Sequence, residues 1–424
     1  MMKSWFMSLA LAALTISTYA EKPYALYIPA RGNKETLPVI YLFDPHGNGS
    51  LPVNKYKPLA DAFGFILVGS NLSKNGNDML TTERIWQQLY ADTRSRLKLD
   101  ERRLYTCGFS GGAKAAGYIA IRHPDIRGVI AGGAGLPDYE QPANFSFSFT
   151  AIAGEGDMNL TELVAVNEAL NRTTTRHRIL FFDGKHEWAP ISTMEQAFAG
   201  LQLDAMRSKF IPPDHVFIDS YIAKSKARVE AYNKNQQLIK ADQEYDYSIT
   251  ILDGLSPEVG WFRQQQAQLI KNPAYQQQRQ TARNLLAKEQ EIKSSYMPRF
   301  QQADMNYWST TISDLKGRAA VNNNEKAMNQ RLLAFLSLAF YSYSNQLIAA
   351  NNNNSARYFV ALYKLVDPTN SEAWYFSAVL DMREGHPPSA EADLKKAVDN
   401  GFRDQQRLDQ QPEFKALHLH FNFR

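Results

Sequence analysis

From Tyr24 to about Ala205, short apolar runs of strand length alternate with stretches in which apolar residues recur at helical spacing. The runs are ALYIP from Ala25, PVIYLF around Val39, FILVGS from Phe65, LYTCGF from Leu104, GVIAGG around Val129, FTAIAG from Phe149 and RILFF around Ile179. Between them, TTERIWQQLYADTRSRL carries a threonine cap and apolar positions at Ile85, Leu89 and Leu97, and a small-residue helix follows Ser110 and ends before Pro124. This alternation predicts an α/β fold, a mostly parallel, doubly wound sheet covered by helices on both faces.

After about Met206 the strand pattern stops. Gln, Asn, Lys and Ala become common in long helical stretches such as DHVFIDSYIAKSKARVEAYNKNQQLIKADQ and QQQRQTARNLLAKEQEIKSSYMPRF. Toward the C-terminus a period of about 34 residues emerges, the length of a tetratricopeptide unit. It pairs Ala356 with Ala390 and Val360 with Leu394, Pro368 closes the first unit, and Trp374, Ala378, Gly385 and Ala397 fall at favoured positions of the next. The expected organisation is residues 1–20 as a signal peptide, 21–205 as the α/β domain, 206–327 as a helical linker domain and 328–424 as tetratricopeptide-like helical repeats. Such repeats can present a concave surface to a protein partner, or simply pack on the α/β domain.

The first residues, MMKSWFMSLALAALTISTYA, combine a basic Lys3, an apolar stretch and small residues at Thr18 and Ala20, which predicts export with cleavage after Ala20. The expected compartment is the periplasm or the medium. Elsewhere no apolar run reads as long enough to cross a bilayer, so no membrane span is expected in the mature chain. With 47 Lys and Arg against 43 Asp and Glu, and no basic block, the chain lacks the charge signature of nucleic-acid binding. Cys107 is the only cysteine, which excludes an intramolecular disulfide and a cysteine-based metal cluster. The histidines at 386, 418 and 420 lack ligand spacing matched by carboxylates, and no metal site is expected there.

The candidate chemistry centres on Gly108-Phe109-Ser110-Gly111-Gly112, which fits a nucleophile elbow between the strand LYTC and the helix AKAAGYIAI. A serine at so sharp a turn needs glycine two positions to either side, because side chains there would collide across it. A serine hydroxyl also needs a base, and the base an orienting acid. His186, in FFDGKHEWAP just past a strand end, is the expected base, and Asp157, ending FTAIAGEGD, the expected acid, with Glu155 and Asp183 competing for that role. An oxyanion would be met by the amide of Gly111 and by a second donor in Asp44-Pro45-His46-Gly47-Asn48-Gly49. Asn48 is the preferred donor there, with Gly47 or His46 able to serve. His46 and Trp188 are the expected substrate-pocket residues, although Trp188 could equally be packed. Cys107 is expected to be a buried core residue.

DPHGNG, DERRLYTCGFSGGAKAAGYIAIRHPDIRGVIAGGAG and DGKHEWAP together resemble the α/β-hydrolase superfamily, and within it the polyhydroxybutyrate depolymerase and feruloyl esterase-like branch, over residues 22–205. The resemblance implies hydrolysis of a carboxylic ester through an acyl-enzyme on Ser110, Asp157 and His186, with no metal or organic cofactor, the substrate being a small acyl ester or an ester-decorated polymer. The chain departs from the pattern in carrying Lys185 where a glycine commonly precedes the histidine, and in lacking stapling cysteines. Two other functions compete: a serine peptidase using the same three residues, and a helical-repeat binding protein on a hydrolase-like scaffold. Only about ten residues, from Leu136 to Phe145, separate two successive strands, so no large lid is expected.

Overall fold

A computed structural model describes residues 22–33, 35–137 and 143–417 of the chain. Residues 1–20, expected to be a signal peptide, lie outside the described residues, as do His418, His420 and the middle of the short loop after Leu136. All seven expected strands form: β1 (Tyr24–Tyr27), β2 (Leu37–Phe43), β3 (Ile66–Ser70), β4 (Leu99–Phe109), β5 (Ile126–Gly132), β6 (Ser148–Gly154) and β7 (His177–Phe182). They make one sheet in the order β1-β3-β2-β4-β5-β6-β7, parallel except for β1, which runs antiparallel at the edge. Helices α1 (Ser50–Phe63), α2 (Met79–Arg96), α3 (Gly111–Arg122), α4 (Leu160–Leu170) and α5 (Ile191–Arg207) connect or follow the strands. The result is an α/β-hydrolase-like core followed by an all-helical, repeat-packed region.

Every residue of β2, β3 and β6 is buried, as strands covered on both faces must be. The pleat sorts them: Ile40, Leu42, Tyr105 and Cys107 join the apolar cluster under α1 and α5, while Val39, Tyr41 and Phe43 join the cluster under α2, α3 and α4. In β7, by contrast, buried and half-buried residues alternate. Strand order reverses between β2 and β4, so the loops leaving their C-terminal ends diverge and open a crevice there.

Ten helices follow: α6 (His215–Lys234), α7 (Leu238–Leu252), α8 (Val259–Ile270), α9 (Pro273–Gln302), α10 (Met305–Ala320), α11 (Lys326–Ala349), α12 (Asn353–Val366), α13 (Ser371–Arg383), α14 (Pro387–Asp399) and α15 (Gln405–Gln410). The helical stretch from Asp214 to Gln243 comprises α6 and the start of α7, separated at Asn235–Gln237 where Gln236 takes a positive φ. The repeat reading shows in the geometry: α12 starts at Asn353 and α14 at Pro387, one repeat length on, and Ala356, Ala390, Val360 and Leu394 are all buried. Gly385 ends α13 at a φ of 77°, a conformation open to glycine.

Apolar packing does not divide the chain at the expected boundaries of 205/206 and 327/328. The cluster under α1 and α5 continues through Ile218, Tyr245 and Phe262 to Tyr275 at the start of α9. A second helical cluster begins at Tyr296 and Phe300, near the end of that same 30-residue helix, and runs to Phe414. The long helix α9 therefore belongs to both cores, and its Leu286 also packs on the sheet's other cluster. One helix, α11, is by length and composition apolar enough to cross a bilayer, which the sequence reading overlooked. Here its Leu332, Leu336 and Phe340 are buried in the second cluster, packed with α10, α12 and α13.

Candidate active site

Ser110 stands between the end of β4 and the first residue of α3 with φ 53° and ψ −123°, a backbone conformation unfavourable for a residue with a Cβ. The surrounding glycines explain how the turn closes. A Cβ on Gly108 would fall on the backbone of Gly112, and one on Gly112 would fall on the carbonyl of Phe43 in β2. Both glycines of the elbow are thus demanded by backbone contact. The strained turn points the serine out of the sheet's C-terminal edge.

The loops after β6 and β7 meet it there. His186 Nε2 lies 3.0 Å from Ser110 Oγ, and His186 Nδ1 lies 2.9 Å from Asp157 Oδ1. Asp157 is 1% exposed, and its Oδ1 also accepts from the Asn159 amide at 2.8 Å. Glu155 instead pairs with Lys240 at 3.0 Å, and Asp183 is exposed. Of the three carboxylates weighed from the sequence, Asp157 is the one in contact with the imidazole. Below the ring, Phe109 approaches at 4.6 Å between centroids, and Gly133, with φ 66°, leaves no space for a side chain. Asn159 Nδ2 holds the Gly133 carbonyl at 2.8 Å.

The loop after β2 is arranged differently from the expectation. Its amides turn inward: His46 and Asn48 donate to Asp44 Oδ1 at 2.9 and 3.4 Å, and Gly47 donates to the Asp44 carbonyl at 3.1 Å. Asn48 and Gly47 therefore do not aim their N–H groups at Ser110. The Gly111 amide, opening α3, has no acceptor within that helix. Against its α-carbon lies the side chain of Asn75, carried on the loop after β3 and anchored by Asn75 N donating to the Pro45 carbonyl at 2.8 Å. Asn75 was not singled out from the sequence. The available signal was its place in NLSKNGND, a turn-rich polar stretch immediately after a strand and hence at the C-terminal edge.

Trp188 is 7% exposed and packed against Phe109 and Tyr56, and its Nε1 donates to Asp44 Oδ2 at 2.8 Å. The packed alternative is thus the one realised, and Trp188 is not on the pocket wall. The His46 side chain is 77% exposed, 3.7 Å from Asp44 Oδ1, and Asp44 raises its pKa above the ordinary histidine value. Burial by itself would raise the Asp44 carboxyl, but hydrogen bonds from His46 and Trp188 outweigh it and hold the group below the usual carboxylate range. Burial pushes the Cys107 thiol far up, which suits an inert core residue. A cavity of about 270 Å³ opens beside Gly111, lined by Asn75, Lys74, Thr82, Lys114 and Tyr118 among others.

No family model matches the chain. A comparison with curated proteins also finds no match. Solved structures align with rather less than half of it. An S-formylglutathione hydrolase from Agrobacterium tumefaciens is 19% identical with a TM-score of 0.35, covering 43% of this chain and 89% of its own. A hyperthermophilic esterase from Pyrobaculum calidifontis is 14% identical with a TM-score of 0.36, over 43% and 79% respectively. For an acylaminoacyl peptidase from Pyrococcus horikoshii the identity is 12% and the TM-score 0.34, over 43% of this chain and 39% of that one. At this distance the functional case rests on the geometry around Ser110.

Proposed function

We propose that this chain is an exported serine hydrolase that cleaves carboxylic esters, with Ser110 as nucleophile, His186 as general base and acid, and Asp157 as the residue that orients and charge-compensates the imidazole. The observation that carries it is the hydrogen-bonded run Asp157–His186–Ser110, at 2.9 and 3.0 Å, ending on a serine held at a strained strand-to-helix turn. Ser110 Oγ attacks the ester carbonyl while His186 Nε2 takes the hydroxyl proton. The carbonyl π electrons move onto oxygen, and the Gly111 amide, free of any acceptor within its helix, stabilises that oxyanion. Collapse expels the alcohol, which leaves with the proton held by His186. Water then repeats the sequence on the acyl-enzyme and releases the acid.

Export rests on the N-terminal pattern of Lys3, an apolar stretch and Ala20. The resemblance carried by DPHGNG and DGKHEWAP supports a small acyl ester or an ester-decorated polymer as the substrate. The wild-type chain is expected to label with a fluorophosphonate probe and Ser110→Ala to give no labelling. Turnover of acetyl, butyryl and feruloyl esters, set against peptide anilides, identifies the bond cleaved. A labelled alanine variant would remove Ser110 from this role, and hydrolysis of anilides alone would make the enzyme a peptidase. Binding of a partner without turnover of any ester would leave the helical repeats as the functional part.

A further inference from the structure

The helical region reaches the active site from behind, at the turn that carries Asp157. Arg331, at the start of α11, is buried, and all three of its nitrogens are committed. Its Nη1 donates to the Glu155 carbonyl at 2.5 Å, while Nε donates to Glu289 Oε2 of α9 at 2.7 Å and Nη2 lies 2.6 Å from that same oxygen. Glu289 is 2% exposed and also pairs with Lys293 at 2.7 Å. Alongside, the Gln330 side chain lies against Gly156 with no room for a Cβ between them. Lys240 of α7 completes the clamp on the Glu155 carboxylate.

The clamped turn is stitched to the histidine loop as well. Glu155 N donates to the Phe182 carbonyl at 2.9 Å and Gly156 N to the Gly184 carbonyl at 2.8 Å, two residues before His186. Fixing the Glu155 peptide therefore fixes the path of both Asp157 and His186. A guanidinium suits this task because its planar fork can hold a carboxylate with one edge and reach a carbonyl with the third nitrogen. An ammonium is a point donor and cannot reproduce that planar arrangement.

We infer that Arg331 is a positioning residue for the hydrolytic reaction: through the Glu155 carbonyl, and braced by Glu289, it holds Asp157 in hydrogen-bonding register with His186. The inference rests on the proposed function of the triad and makes the helical region a working part of the active site. Misplacing a catalytic group by about 1 Å costs rates on the order of 100-fold. Arg331→Met is expected to lower kcat by about 10- to 100-fold with KM changed less than about twofold, and Arg331→Lys to fall between. A loss of folded protein would scale the signal of every assay alike and give no graded rescue by lysine.

Because Arg331→Met leaves Glu289 buried with fewer partners, the double variant Arg331→Met/Glu289→Met is the control for folding, since paired replacement of a buried ion pair by apolar side chains is tolerated. It is expected to keep the wild-type Tm to within a few degrees and still lose kcat. A folded double variant with wild-type kcat overturns the inference. A second readout does not depend on turnover: the low-field proton resonance of His186 Nδ1–H, identified by its loss in Asp157→Asn, is expected in the wild type and absent or broadened in both methionine variants. Its unchanged persistence also overturns the inference. A wild type that takes no fluorophosphonate and cleaves no ester would overturn the proposed function instead, leaving the resonance to decide the positioning role.

Discussion

Asp44 accepts from His46 N, Asn48 N and Trp188 Nε1 in a position 3% exposed, so one carboxylate joins the loop after β2 to the loop that carries His186. Its folded pKa is lowered because, against the cost of burial, the His46 side chain, Trp188 and the His46 amide together favour the ionised carboxylate. A group depressed in the folded state contributes stability above its unfolded value, about 3.9, and loses it as pH falls through the lower folded value. Asp44→Asn is therefore expected to be less stable than wild type at neutral pH by about 1–3 kcal/mol. The gap in Tm should narrow below about pH 4, where the wild-type carboxylate is itself protonating. A Tm difference that stays constant from pH 7 to pH 3 would mean that ionisation of Asp44 contributes nothing.

At the scale of elements, the elbow depends on β2, β4 and α3 approaching more closely than side chains permit. Gly112→Ala places a methyl on the Phe43 carbonyl, backbone that cannot move without shifting β2 in the middle of the sheet. Overpacking of this kind costs about 1–3 kcal/mol, and the displacement of Ser110 a further rate loss on the order of 100-fold. Thermal unfolding and ester turnover measured together test both, and a variant matching wild type in each would show that the turn has slack.

Across the whole molecule, the sheet is joined to the helical region by a buried ionic joint at β7. Arg178, its side chain 1% exposed, pairs with Asp204 of α5 at 2.7 Å, and Arg207 holds the other carboxylate oxygen at 2.6 Å. Arg207 also donates to the Asp253 carbonyl at 2.6 Å, and Arg176 to the Thr250 carbonyl at 3.1 Å, which draws in α7 and the turn after it. Burial opposes the charge on Asp204, and Arg178 and Arg207 more than restore it. Arg178→Met leaves that buried charge with Arg207 as its close partner and is expected to cost about 3 kcal/mol in urea unfolding. Pairing it with Asp204→Leu is expected to recover most of the loss, and an equal loss in the double variant would place the effect in packing alone.

The local pattern was enough to read seven strands, the helical second half and the elbow. Strand runs and helical spacing are written within a dozen residues, and the glycines flanking Ser110 answer a clash inside one turn. The order Ser110, Asp157, His186 was legible for the same reason, since each residue lies within four positions of a strand's C-terminal end and so emerges at one edge. What the sequence could not decide depended on residues far apart in the chain. Asp157 was preferred to Glu155 and Asp183 from its place after a strand, but what aims that turn at His186 was out of reach of the local pattern, since the turn is held by Arg331, 176 positions beyond Glu155. Trp188 became a packed donor only because Asp44 lies opposite it, 144 positions earlier. The loop after β2 suggested oxyanion donors, yet its His46 and Asn48 amides are taken by that same carboxylate and its Gly47 amide by the Asp44 carbonyl, while Asn75 comes to Gly111 from the loop after β3. Periodicity encodes which face of an element is buried; only the packed chain decides which loops meet over it.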